Sequence, residues 1–182
     1  MLSTHPSGTA ILDAADLLSE FGLDALCSAR RQLVRHEEAS DLLVAQRDAN
    51  GREYLLTPAA AQAWEDMRQA ASADGLEISL ASAFRSIERQ AEICRQKIAA
   101  GATPEAVFAQ LAPPGYSEHH TGRAIDIRTP DCPPCSAAFE QTPAFVWLHD
   151  NAARYGFTLS YPHNNPQGFV FEPWHWCFNA QS

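Results

Sequence analysis

The run Arg123-Ala-Ile-Asp-Ile-Arg128 places an aspartate in the middle of an apolar strand pattern, directly after a polar turn that holds two adjacent histidines, His119 and His120. An ionised carboxylate removed from water needs a partner, because burial of an uncompensated charge costs several kcal/mol. A fold that accepts Asp126 inside a strand must therefore bring it an imidazole, a guanidinium or a metal ion. The bland arrangement is a surface turn followed by a salt-bridged strand carboxylate. The alternative is a shared metal.

The chain has 182 residues, enough for one well-packed domain and too few to expect two. Hydrophobic residues make up 46% and charged residues 19%, which excludes a disordered chain. A formal charge of -9 argues against binding nucleic acid or an anionic membrane, both of which need a basic surface. The start, MLSTHPSGTAILDAADLL, lacks a basic leader region and is interrupted by Asp13 and Asp16, so a cytoplasmic location is expected. Five cysteines, an odd number, leave at least one unpaired and suit a reducing compartment.

Local signals divide the chain into short elements. Helical spacing runs over residues 8–34 with a break at Gly22, and residues 36–38 read as an exposed helix end. Residues 41–56 read as two strands around Asp48, Asn50 and Gly51. Thr57-Pro58 opens a helix to about Ala73, Ser86 another to about Ala100, and Thr103-Pro104 a short third. Strands are predicted over 76–84, 123–128, 157–161 and 168–178, and a helix over 136–155. The order predicts one α+β domain with a central, largely antiparallel sheet flanked by helices, in which residues 1–50 form a helical extension packed on residues 51–182.

The unusual polar residues fall in three segments, each at the end of a predicted strand: Arg85, the His119/His120/Asp126 group, and Glu172 with His175. A catalytic zinc takes three ligands of the His/Asp/Glu/Cys type and keeps one position open. Asp126, His175 and one of the two adjacent histidines complete such a set and leave Glu172 free to act on water. Thr121-Gly122 must then bend the chain between His119 and Asp126, and Pro173 must disturb the strand that carries Glu172 and His175.

Ser117, His119, Gly122, Ala124 and Asp126 reproduce the pattern S-x-H-x-x-G-x-A-x-D, and Glu172-Pro-Trp-His175 its partner E-x-W-H. In these residues, and in Ser82–Ser86 with Gln90, the chain resembles the zinc D-alanyl-D-alanine carboxypeptidases of the VanY type over about Leu56 to Phe178. The resemblance implies the fold shared by D,D-peptidases and hedgehog domains, and His119, Asp126 and His175 as zinc ligands. It implies Glu172 as general base, Arg85 as the cation that steadies the substrate carbonyl, and Ser117, Gln90 and Trp174 as substrate contacts.

The implied substrate is a muropeptide that loses a terminal D-alanine. For a cytoplasmic enzyme the L,D bond of a recycled tetrapeptide is expected, with the D,D bond of a pentapeptide as the alternative. No protein partner is implied. Rival readings are a non-catalytic zinc-containing binding module and an endopeptidase; the presence of Glu172 speaks against the first. Trp174 and Trp176 read as core or pocket-wall packing, His149 and His163 as solvated, and Cys132-Pro-Pro-Cys135 as a solvated loop or an opportunistic disulfide.

Overall fold

The computed structural model describes residues 18–23 and 25–179. Four strands form the central sheet in the order β3-β4-β6-β5: Ser79–Ser82, Ala124–Arg128, His175–Phe178 and Phe157–Leu159, all antiparallel. The first two strands, β1 (Leu43–Arg47) and β2 (Glu53–Leu56), form a separate hairpin, turned by Asp48, whose carboxylate accepts from the N–H groups of Asn50 and Arg52.

A short helix α1 (Ala25–Arg30) precedes the hairpin, and α2 (Pro58–Ala73) follows it. Proline at the first position of α2 costs no hydrogen bond, since that N–H has no partner within a helix. The helix buries Ala60, Trp64, Met67 and Ala71 at helical spacing against Leu80, Ile125, Ile127 and Phe157 of the sheet and Phe139 and Leu148 beyond it. Trp64 and Met67 are fully buried, and truncation of a residue such as Trp64 to alanine costs about 3–5 kcal/mol. Helices α3 (Ile87–Ala99) and α4 (Pro104–Gln110) pack around a second cluster, Phe21, Ala91, Cys94, Val107 and Phe108. The side chains of Ser86 and Thr103 cap these two helices, as their sequence signals predict. Among the described residues no helix is long and apolar enough to cross a membrane.

Four expectations are corrected. The helix over 136–155 is three pieces, a 3-10 turn Ala137–Gln141, helix α5 (Pro143–Asn151) and a 3-10 turn Ala152–Tyr155, because Thr142 is extended ahead of Pro143 and re-caps the chain with its hydroxyl. The strand over 168–178 shrinks to β6, because Pro173 and Trp174 form a turn. Within 8–34 the described helix ends at Arg30, with Gln32 at a φ of 52°; residues 8–17 lie outside the described residues.

Residues 34–39, finally, are not a helix end but an extended strap. The N–H of His36 donates to the Gly115 carbonyl and that of Ala39 to the His120 carbonyl, at 2.8 Å each.

Gly122 joins the 3-10 turn Glu118–Thr121 to β4 at a φ of 63°, and a Cβ built there meets Leu42 Cδ2 at 2.7 Å and Ala39 Cβ at 3.2 Å. Both the left-handed conformation and the crowding demand glycine. Gly122→Ala is therefore expected to lower stability by about 1–3 kcal/mol in a denaturant titration. An unchanged midpoint would show that the turn relaxes freely.

Candidate metal centre and active site

Strand β4 runs through the middle of the sheet, and its register sets Asp126 opposite Ser82 on β3 and opposite His175 on β6. Side chains at paired positions emerge on the same face. Asp126 Oδ1 consequently lies 3.0 Å from His175 Nδ1. His119 reaches the same carboxylate from the 3-10 turn, its Nε2 lying 3.2 Å from Asp126 Oδ2. The two imidazoles stand edge to face with centroids 4.9 Å apart. All three residues are buried, and one ligand atom from each lies within 4.8 Å of the others.

Hydrogen bonds at the far side of each ring decide which nitrogen faces the centre. His119 Nδ1 lies 2.7 Å from the Ala83 carbonyl, which only accepts, so Nδ1 carries the proton and Nε2 presents a lone pair. Likewise His175 Nε2 donates to Glu118 Oε2 at 2.9 Å, which leaves Nδ1 toward Asp126. Two imidazole lone pairs and two carboxylate oxygens thus converge on one small volume. Such a set is repulsive unless a proton or a metal cation lies inside it, and it matches the nitrogen and oxygen donors that zinc takes.

The electrostatics follow from that arrangement. Burial alone would raise the Asp126 carboxyl, but His119 and His175 hold it well below its usual range. Burial lowers His119 despite Asp126 beside it. For His175 burial again favours the neutral ring, but hydrogen bonds to Asp126 and Glu118 reverse it and raise the imidazolium to about 10. Glu118 is itself held down at about 2: burial opposes ionisation, and His175 outweighs it.

Glu172 sits 4.0 Å from His175 Nδ1 and is 8% exposed. Burial, reinforced by the charge of Asp126, raises its carboxyl to about 7 in spite of the nearby His175. Its place follows from the turn at Pro173-Trp174, which brings the His175 N–H back to the Glu172 carbonyl at 3.1 Å. Arg85 lies just past β3 with Nη2 3.8 Å from Asp126 Oδ2; Nη2 also donates to Ser82 Oγ and Nη1 to Gln90 Oε1 at 2.7 Å. Gln90 is buried and passes its own N–H to the Ala112 carbonyl at 2.6 Å, so its amide braces Arg85. Ser117 is buried and caps the 3-10 turn through the His119 N–H. Arg85, Gln90, Ser117, Glu172 and Trp174 line one cleft of about 500 Å³ together with His119, Asp126 and His175.

His120 faces away from this centre. Its Nδ1 donates to the Arg85 carbonyl at 2.6 Å and its Nε2 accepts from the Gly115 N–H at 3.1 Å, which ties the Pro113–Gly115 loop to the end of β3. Burial lowers its pKa to about 4, as a permanently neutral ring requires.

A sequence model of the VanY family, D-alanyl-D-alanine carboxypeptidase, matches residues 53–181. The chain belongs to this family. Over 163 residues it is 33% identical to YodJ of Bacillus subtilis (strain 168), covering 83% of this chain and 58% of that relative's length. The LdcB LD-carboxypeptidase, whose structure addresses peptidoglycan recognition, superposes with a TM-score of 0.69 at 31% identity over 79% of this chain and 70% of that one. A mutant VanY D,D-pentapeptidase from a VanB-type resistance cassette, in complex with Zn(II), superposes with a TM-score of 0.62 at 29% identity over 82% and 87%.

Within this VanY-family site the sequence reading overlooked three residues. Glu118 lies inside the quoted motif, but its contact with His175 spans 57 residues of chain and leaves no local trace. Tyr161 packs its ring 4.8 Å from that of His175. Cys135 lines the cleft with a φ of 52°, whereas Cys132 belongs to the main core and is not solvated. Both are free thiols, as are Cys94 and Cys177. His149 and His163 are exposed, as expected, with side chains 71% and 66% accessible.

Replacing His120 by alanine removes both of its bonds and leaves the buried Gly115 N–H and the partly buried Arg85 carbonyl without this partner. A loss of roughly 2–5 kcal/mol in chemical denaturation is expected. A loss below about 1 kcal/mol would show that the loop does not depend on this ring.

Proposed function

We propose that this chain is a zinc-dependent carboxypeptidase that removes a terminal D-alanine from peptidoglycan stem peptides, with the L,D bond of the tetrapeptide as its preferred target. One observation carries the reading: buried acceptor atoms of His119, Asp126 and His175 converge in the cleft that also holds Glu172 and Arg85. His119 Nε2, Asp126 and His175 Nδ1 would hold the zinc. When bound it lowers the pKa of water and polarises a carbonyl.

The protein's own side chains do the rest. Glu172 takes the proton of the attacking water and returns it to the leaving amine, and a carboxyl near 7 suits that exchange at neutral pH. Arg85, fixed by Gln90 and Ser82, donates to the oxygen that becomes negative as water adds. Ser117 and Trp174 shape the wall against which the peptide end lies. Glu118 holds His175 in the tautomer that offers Nδ1. The likeness to LdcB supports the L,D preference; the likeness to VanY favours a second reading, D,D cleavage of the pentapeptide.

The purified protein is expected to hold about one zinc per chain. Metal analysis should find it lost in His119→Ala and kept in His120→Ala wherever that variant folds. Glu118→Gln is expected to weaken zinc about 10- to 100-fold in a competition titration. Glu172→Gln should lower kcat about 10²- to 10⁴-fold at unchanged zinc content. Normal turnover by that variant would remove Glu172 from the mechanism.

The bond is decided by mass spectrometry of products from synthetic tetrapeptide and pentapeptide, with zinc and after chelation. D-alanine should leave the tetrapeptide at least as readily as the pentapeptide. Efficient cutting of pentapeptide alone makes the enzyme a D,D-carboxypeptidase, and zinc-loaded protein that cuts neither overturns the reading.

A further inference from the structure

The cleft extends well beyond the groups that do the chemistry. It is also lined by Lys97 on α3, by Gln110 and Leu111 at the end of α4, and by Val170, whose N–H donates to the Ala109 carbonyl at 3.0 Å. Lys97 is the only lysine among 13 Lys and Arg residues in a chain of net charge -9. The two arginines nearest to it on α3 are both paired: Arg89 with Glu92 at 2.8 Å, and Arg95 with Glu20 at 2.7 Å and Glu88 at 2.9 Å. Among the described residues Lys97 has no such carboxylate partner.

Position on the helix explains why the lysine belongs to the cleft. Gln90, Cys94 and Lys97 are spaced i, i+4, i+7 and so form one stripe along α3. Gln90, at one end, is the brace of Arg85. Lys97 lies about 10 Å further along the axis, at about 1.5 Å per residue. An extended peptide covers that distance in about three residues. Phe169, Val170, Phe171 and Glu172 line the same cleft as Gln90 and Lys97.

We infer that Lys97 forms an anion subsite of this cleft, for a carboxylate carried by the peptide two to three residues from the bond that is cut. The inference rests on the peptidase reading above and adds a substrate class to it: peptides that bear a free acidic group upstream, apart from their terminal carboxylate. An ammonium at the cleft edge recognises such a group as a point charge. Because it is solvated, the contact is modest and weakens with salt.

The test uses two synthetic peptides that end in D-alanine and differ only in carboxylate against carboxamide at the third residue upstream of the scissile bond. The zinc-loaded protein is expected to show a KM about 3- to 10-fold lower for the carboxylate peptide at low salt, with the gap closing as salt rises. Lys97→Met should raise the carboxylate peptide's KM to that of the carboxamide, and Lys97→Glu should reverse the preference. A merely structural lysine would weaken both peptides alike.

Equal handling of the two peptides by the unmodified protein overturns the subsite, as does a preference that survives in Lys97→Met. Calorimetric binding to the zinc-loaded Glu172→Gln protein reads the same ratio without turnover. If the unmodified enzyme cuts neither peptide while that variant binds the carboxylate form more tightly, the peptidase reading falls and the subsite stands. If the variant binds neither peptide, both fall.

Discussion

A negative charge buried at the centre of a sheet organises this protein. Asp126 occupies the middle of β4, with strands on both sides and a hydrophobic core behind it. A lone carboxylate there would either take a proton or unfold the sheet around it. Its compensation comes from two directions at once. The antiparallel register supplies His175 from the next strand, and the 3-10 turn swings His119 in from the loop. The step from His119 to Asp126 is taken up by the rest of the 3-10 turn, the left-handed Gly122, Arg123 and the first two residues of β4.

Around that charge, nearly every functional side chain is anchored by a backbone carbonyl or by a neighbour that is itself anchored. His119 is fixed by Ala83, His120 by Arg85, and Arg85 by Gln90, which is tied to Ala112. Three of these tethers gather where β3 ends and the Pro113–Gly115 loop passes, so one small region of main chain sets the angles of the whole site. Glu172 differs. Among the described residues no side chain or backbone N–H donates to its carboxylate, and burial without such support is what lifts its pKa toward neutrality.

Much of this was readable in the chain, and the rest was hidden for identifiable reasons. Helices opened by Ser86 and Thr103-Pro104 stand where their hydroxyl caps place them, because a cap is satisfied within four residues; the one at Thr57-Pro58 stands where its proline allows, with no side-chain cap from Thr57. The adjacent histidines are different: both are buried, both use Nδ1 on a carbonyl, and only the fold aims one at Asp126 and the other at Gly115. Family resemblance chose His119 where spacing left both open. The interrupted strand at 168–178 was overestimated because apolar alternation does not reveal that Phe169 is claimed by Asn165 and Tyr161, or that Pro173 begins a turn. Glu118 was passed over because its partner arrives from the far end of the chain.

The strap at residues 34–39 separates two notions of a unit that are easily conflated. The family model's match begins at residue 53, yet the loop that carries His120 and the loop at Gly115 each give a carbonyl to main chain that lies upstream of that point. Strand β1 pairs with β2 across the same boundary, and Gln46 accepts the Leu80 N–H of the central sheet. The segment that the family model matches and the segment that hydrogen bonds tie together therefore have different edges. Ahead of residue 53 both main chain and side chains are held by the elements that carry the site: the strap by the carbonyls of Gly115 and His120, and Gln46 by the Leu80 N–H.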